Sequence, residues 1–186
     1  MAHANLHHDL AATMIDGTHD LIAAMTTAGR IVVRDQGRIR QVGAPMEPDA
    51  HPADRCVTPF IGSPLTNFLP AIVIAFGTSL PLDPDPGARR FTLNPRQPVP
   101  DIPRADLGTR PDHVTLTASD AAEAVLPSRI RLVERPGYQT LGQLETTAGP
   151  VTLQGVGDLP ARPGDQTALA FDATRAHAFG PDGKAL

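Results

Sequence analysis

The sequence is poor in the residues that grip nucleic acids or build metal and redox centres. Among 186 residues there is no tryptophan, one tyrosine, one cysteine and six phenylalanines. Binding single strands by base stacking needs aromatic rings beside basic groups, and aromatics this sparse, in a chain of net charge −4, exclude that class. The lone cysteine, Cys56, excludes an internal disulfide and a thiolate zinc centre. Its apolar context predicts a small core residue. No apolar run approaches the ~20 residues that cross a bilayer. The longest candidate, Phe68 to Phe76, has the length of a strand. The N-terminus has neither a basic start nor an apolar stretch, so no signal peptide is expected, and a soluble cytoplasmic protein is.

What is plentiful is punctuation: twenty prolines and sixteen glycines. They predict short strands and frequent turns. The first third reads as mixed α/β. Leu6, Leu10 and Ala11 fall at helical spacing, which predicts a short helix over about 3–12. Thr13-Met14-Ile15 reads as a buried strand. Asp20 can cap a helix from Leu21 to Ala28 that stops at Gly29. Ile31-Val32-Val33 reads as a strand, Asp35-Gln36-Gly37 as a turn, and Arg38 to Val42 as the hairpin partner. Pro45 opens a helical region expected to reach Ile61.

Gly62-Ser63-Pro64 is the best boundary. Beyond it come short apolar runs at Ala71–Phe76, Val114–Leu116, Ile130–Val133, Val151–Leu153 and Thr167–Phe171. Residues 81–104 are proline-rich and predict loop with one or two short strands. Short strands with turn signals between them suggest a small barrel or sandwich.

Few clusters suggest chemistry. His3 and His7 lie four apart on the first predicted helix, with His8 beside them, but no third ligand is evident, so a solvated helix face is expected. Arg110, Asp112 and His113 resemble a catalytic cluster and are read instead as structural hydrogen-bonding groups. Asp83, Asp85, Asp101 and Asp106 lack calcium-loop spacing. Ser63 and Ser128 have no nucleophile context. Tyr138 is read as a strand residue with its hydroxyl at the surface.

One ordered series of motifs runs through nearly the whole chain. It starts with Leu6 to Ile15 and Gly17-Thr18-His19-Asp20, then Ala24-Met25-Thr26, Arg30 to Val33 and Gly37 to Gly43. Pro45-Met46-Glu47, Pro52 to Arg55, Phe60-Ile61-Gly62-Ser63-Pro64 and Asn67-Phe68-Leu69-Pro70 follow. Later come Gly108-Thr109-Arg110-Pro111-Asp112-His113, Leu132-Val133-Glu134 with Gly137 and Thr140, and Phe171-Asp172 with His177, Phe179 and Asp182-Gly183. This series resembles the C-terminal part of the ATP-binding subunit of sugar and glycerol-3-phosphate import ABC transporters of the maltose-importer type. Residues 78–104 match it poorly.

The resemblance implies an α+β chain in two parts. Residues 1–62 would be an α/β remnant of the nucleotide-binding domain, and residues 63–186 an all-β OB-fold-like regulatory barrel, the TOBE domain. It makes His19 the switch histidine that contacts the γ-phosphate of ATP. The intact family binds ATP and Mg, but no Gly-x4-Gly-Lys-Ser/Thr occurs in this sequence, and the only lysine is Lys184. The expectation is a truncated subunit that binds no cofactor and hydrolyses no ATP alone. The family implies as partners permease subunits and a second ATPase subunit, possible homodimerisation through the regulatory domain, and a place at the inner face of the cell membrane without insertion. Neither nucleic acid nor metal is expected. The alternatives are a stand-alone module binding an oxyanion or sugar, or a non-functional gene remnant. Several residues depart from the family pattern. Asp16 and Gly17 stand at a strand position expected to be buried, Leu21 and Ala23 replace a polar pair, and Pro48 and Pro59 fall where helix-compatible residues are usual, at about 3 kcal/mol for an interior proline.

Overall fold

The computed structural model describes residues 13–61, 64–75, 77, 79–84, 89–95 and 98–186. The chain forms two compact units, Met1–Gly62 and Ser63–Leu186. The helix expected over 3–12, with His3, His7 and His8, lies outside the described residues.

In the N-terminal unit, helix α1 spans Leu21–Thr27 and is capped as expected, with the Ala23 amide donating to Asp20 Oδ1 at 3.0 Å. Strands β1 (Ile31–Asp35) and β2 (Arg38–Gly43) pair antiparallel. Their turn places Gln36 at φ 47 and Gly37 at φ 78, the left-handed geometry of a tight hairpin. Gln41 ties the hairpin to the next segment: its Nε2 donates to the His51 carbonyl at 2.9 Å and its Oε1 accepts from the Ala53 amide at 2.8 Å. Arg40 reaches Asp35 at 2.9 Å and Asp54 at 3.8 Å. Val33, Val57 and Ile61 form a small core with Leu21 and Ile31 against it.

Several expectations for this unit fail. Thr13 to Ile15 form no strand, and Ile15 is 96% exposed. A lone extended segment has no ladder to satisfy its amides, so nothing holds it in a sheet. Asp16 is exposed and carries no burial cost. The region from Pro45 is not one helix to Ile61 but a short helix α2 (Glu47–Ala50) and a 3-10 turn (Thr58–Phe60). Pro48 and Pro59 sit in the first turns of these pieces, where a missing N–H costs little, so the interior-proline penalty does not apply. Cys56 is exposed rather than in the core. The Asp54 carboxylate holds the Cys56 and Val57 amides at 2.7 and 3.1 Å, and Val57 takes the interior position. Every strand pairing among the described residues is antiparallel, so they form no parallel α/β layer.

Among its described residues, the C-terminal unit contains two five-stranded sheets. One has the order β12-β6-β3-β4-β5, with β3 Asn67–Val73, β4 Leu80–Asp83, β5 Phe91–Leu93, β6 Arg104–Thr109 and β12 His177–Phe179. The other has the order β10-β9-β8-β11-β7, with β7 Val114–Thr117, β8 Leu126–Glu134, β9 Gln139–Thr146, β10 Gly149–Val156 and β11 Gln166–Phe171. Alternation is clean where one face is buried. In β3, Asn67, Leu69, Ala71 and Val73 point inward while Pro70 and Ile72 are exposed. Leu69, Leu82, Phe91 and Leu107 of one sheet share a single core with Ile130, Leu144, Leu153 and Leu169 of the other. Burying one such leucine contributes about 1.5–3 kcal/mol. Tyr138 lies in the turn before β9, not in a strand, and is 75% exposed.

Candidate functional site

Two features bind the barrel's sheets together. The first is Asn67, at the start of β3. Its Nδ2 donates to the Thr152 carbonyl at 2.7 Å, and its Oδ1 accepts from the Thr152 amide at 2.7 Å. One buried side chain thus imitates a ladder pairing between β3 and the edge strand β10, so part of that edge does not lie open for another chain. The second is the Gly108–His113 segment. A Cβ on Gly108 would stand 2.7 Å from Phe179 Cε2 and 3.4 Å from Phe68 Cε1. Glycine is needed there for Phe68 and Phe179 to meet edge-on, with ring centroids 5.7 Å apart.

The segment then turns through a 3-10 helix, Pro111–His113, which carries the chain from one sheet to the other. The His113 carbonyl accepts from the Asp172 amide at 3.2 Å. Its ring Nε2 lies 3.0 Å from Arg175 Nη1 and 3.7 Å from Asp112 Oδ2, while Nδ1 is buried without a partner. Asp172 anchors the facing turn. The Thr174 hydroxyl donates to its carboxylate at 2.6 Å and the Thr174 amide at 2.9 Å, and these bonds hold Asp172 below its ordinary pKa. Of the cluster read as structural, His113 is the member that joins the two turns, through its carbonyl to Asp172 and its ring to Arg175, which sequence reasoning missed. No spacing signal could have found Arg175, 62 residues from His113.

His19 sits elsewhere. It is exposed, just before α1, between Thr18, whose hydroxyl accepts from the Asp20 amide at 2.8 Å, and the capping Asp20. Among the described residues no three His, Cys, Asp or Glu side chains are grouped to hold a metal. An open concavity of about 860 Å³ runs along β8–β10, lined by Arg131, Leu132, Gln143, Glu145, Pro150 and Thr152. Its charges are matched, because Arg131 pairs with Glu145. No helix among the described residues is long and apolar enough to cross a membrane.

Two antiparallel sheets around one core, linked by the Gly108–His113 turn, define an OB-type barrel domain, and residues 107–179 match the TOBE domain family. More particularly, the chain resembles the C-terminal regulatory region of ABC-type import ATPases. It is 41% identical over 138 residues to the maltose/maltodextrin import ATP-binding protein MalK of Salmonella typhimurium, covering 74% of this chain and 37% of that protein. The MalK of Escherichia coli K12 matches at 41% over 143 residues with the same coverage. The chain thus spans little more than a third of the length of these curated relatives. In fold, the structure is similar to the cytoplasmic molybdate-binding protein ModG with molybdate bound, at a TM-score of 0.50 and 14% identity, covering 62% of this chain and 96% of that one. At that identity the likeness is one of fold.

Proposed function

We propose that this chain serves as the regulatory region of an ATP-binding subunit in a carbohydrate-import ABC transporter. The observation that carries the reading is the 41% identity to maltose/maltodextrin import proteins, together with the TOBE match. In this role the barrel is the surface that other subunits hold. Its partners would be a second ATPase subunit, or a second copy through the barrel, with permease subunits at the cytoplasmic face of the membrane. ATP and Mg would be held by a glycine-rich loop and its lysine, and neither occurs in these 186 residues. The reading therefore gives this polypeptide no ATP turnover of its own. His19 would act only beside a triphosphate held by another stretch of chain. Its exposure leaves it accessible for such a contact.

The test is reconstitution. The purified chain alone should give no calorimetric signal with Mg-ATP and release no phosphate. Mixed with the nucleotide-binding segment of a maltose-type import ATPase, it should co-elute, and His19→Ala should then depress turnover. Micromolar Mg-ATP binding by the chain alone would overturn the reading. So would failure to co-elute combined with a large thermal shift from molybdate or maltose, which would mark a stand-alone ligand module.

A further inference from the structure

Strand β12 is an edge of its sheet, with β6 on one side. The chain covers the other side itself. After Phe179 it turns through Gly180-Pro181-Asp182-Gly183 and returns antiparallel, with Ala185 opposite Phe179. The Gly180 amide donates to the Lys184 carbonyl at 2.8 Å, and the Leu186 amide donates to the Ala178 carbonyl at 2.9 Å. The turn is fixed from within. Gly183 sits at φ 81, its amide donates to the Gly180 carbonyl at 2.9 Å, and Asp182 Oδ1 accepts from the Lys184 amide at 3.0 Å. Leu186 then packs against the barrel core, close over Gly180, where a Cβ would stand 3.4 Å from its Cδ2.

Lifting this return would bare the Ala178 carbonyl and the Gly180 amide on the outer side of β12. A bare edge is a template for another strand. Ladder geometry decides which strand fits. Two residues facing each other in a hydrogen-bonded antiparallel pair exchange their bonds. The bared groups are an acceptor at 178 and a donor two residues later at 180. A two-fold axis through Phe179 sets Ala178 of one copy against Gly180 of the other. Each Gly180 N–H then meets the second copy's Ala178 carbonyl, so the bared rungs are complementary to themselves, as a two-fold interface requires. The β10 edge carries a comparable cover in the Asn67 side chain, which takes both backbone groups of Thr152.

We propose that residues 180–186 are an edge guard: they occupy the outer side of β12 and so keep it from pairing antiparallel with β12 of a second copy. Leu186 is the anchor, because it both bonds to β12 and packs against the core. Lys184, exposed and 3.5 Å from Asp182, puts a charge on the guard itself, where it discourages the approach of a further strand. The guard belongs to the barrel and does not rest on the transporter reading.

The experiment is sedimentation equilibrium on the whole chain, with the amide spectrum of β8 to β11 recorded on the same samples. Leu186→Asp sets a charge where the anchor meets the core and frees the guard. The variant should keep the barrel spectrum and self-associate about tenfold more tightly than the wild type, the scale of one hydrogen bond gained. Leu186→Ala removes the anchor without adding a charge, should act in the same direction, and serves as the test if the aspartate unfolds the barrel. Gly180→Pro, added to either variant, deletes the donor of the bared edge and should return association to the wild-type level. A folded Leu186 variant that associates no more tightly than the wild type would overturn the proposal. Extra association that survives Gly180→Pro would do the same, because it would come from a surface other than the β12 edge.

Discussion

The two units solve the same problem with unequal means. Both contain β-branched hairpins, but the barrel surrounds its strands with a core drawn from two five-stranded sheets. Among the described residues of the N-terminal unit, a two-stranded hairpin and three buried apolar side chains do that work. Helix α1 buries no residue, and Val32, Ile39 and Val42 of the hairpin are exposed. An isolated hairpin is marginal in water, whereas strands with a shared apolar face are not. Local propensity shaped both units, and only the C-terminal one converts it into cooperative burial.

The sharpest way to break this contrast is to cut the cores. Leu169→Ala, at a fully buried site, should cost the barrel about 2–5 kcal/mol. Val57→Ala should leave the barrel's denaturation midpoint unchanged. Hydrogen exchange on the same samples should show residues 13–20 exchanging freely and 126–171 protected; strong protection across 13–43 would erase the distinction. Next in size is Asn67→Ala, which strips both partners from Thr152 and should cost about 2 kcal/mol in chemical denaturation. An unchanged midpoint would mean water replaces the amide at no cost.

A smaller effect belongs to the hairpin turn. Gln36 is the one non-glycine residue described with positive φ, so Gln36→Asn should stabilise the N-terminal unit by about 0.5–1 kcal/mol. Exchange rates of the β1 and β2 amides would register it. Least of all is a pH effect at Asp172. Thr174 lowers its folded pKa beneath the ordinary 3.8, so the stabilisation is present above that value and is lost as pH falls below it. A Thr174→Val variant should show a shallower acid limb than the wild type, and an identical limb would refute the assignment.

Much of this architecture was legible in the residues. Short apolar runs located β1, β7, β8, β10 and β11 and the end of β3, and the chain divides where Gly62-Ser63-Pro64 marks a boundary. Composition alone missed β9, because Thr140 and Gly142 occupy its inward positions beside Leu144 and blur the alternation. Its place was readable only through resemblance. The misread elements share one cause. Apolar and helix-compatible residues at Thr13 to Ile15 and after Pro45 suggest a strand and one helix, but tertiary context, not propensity, decides such segments, and Thr13 to Ile15 pair with no strand. At the candidate site, the Arg110–His113 cluster announced itself and its partners did not, since Arg175 and Thr152 are joined to it or to Asn67 only by the fold. His19 was located in the sequence by resemblance alone.

The Asn67–Thr152 pair has a consequence for how the barrel comes to exist. It clasps residues 85 positions apart, and the entropy of closing so long a loop must be met before the two amide bonds can form. The hairpins β8–β9 and β9–β10, with their short turns, face no such delay. The expectation is a clasp that shuts last during folding and leaves the earliest phase untouched. Stopped-flow refolding of Asn67→Ala would then match the wild-type rate while unfolding quickens, and slowed refolding would place the clasp in the nucleus instead.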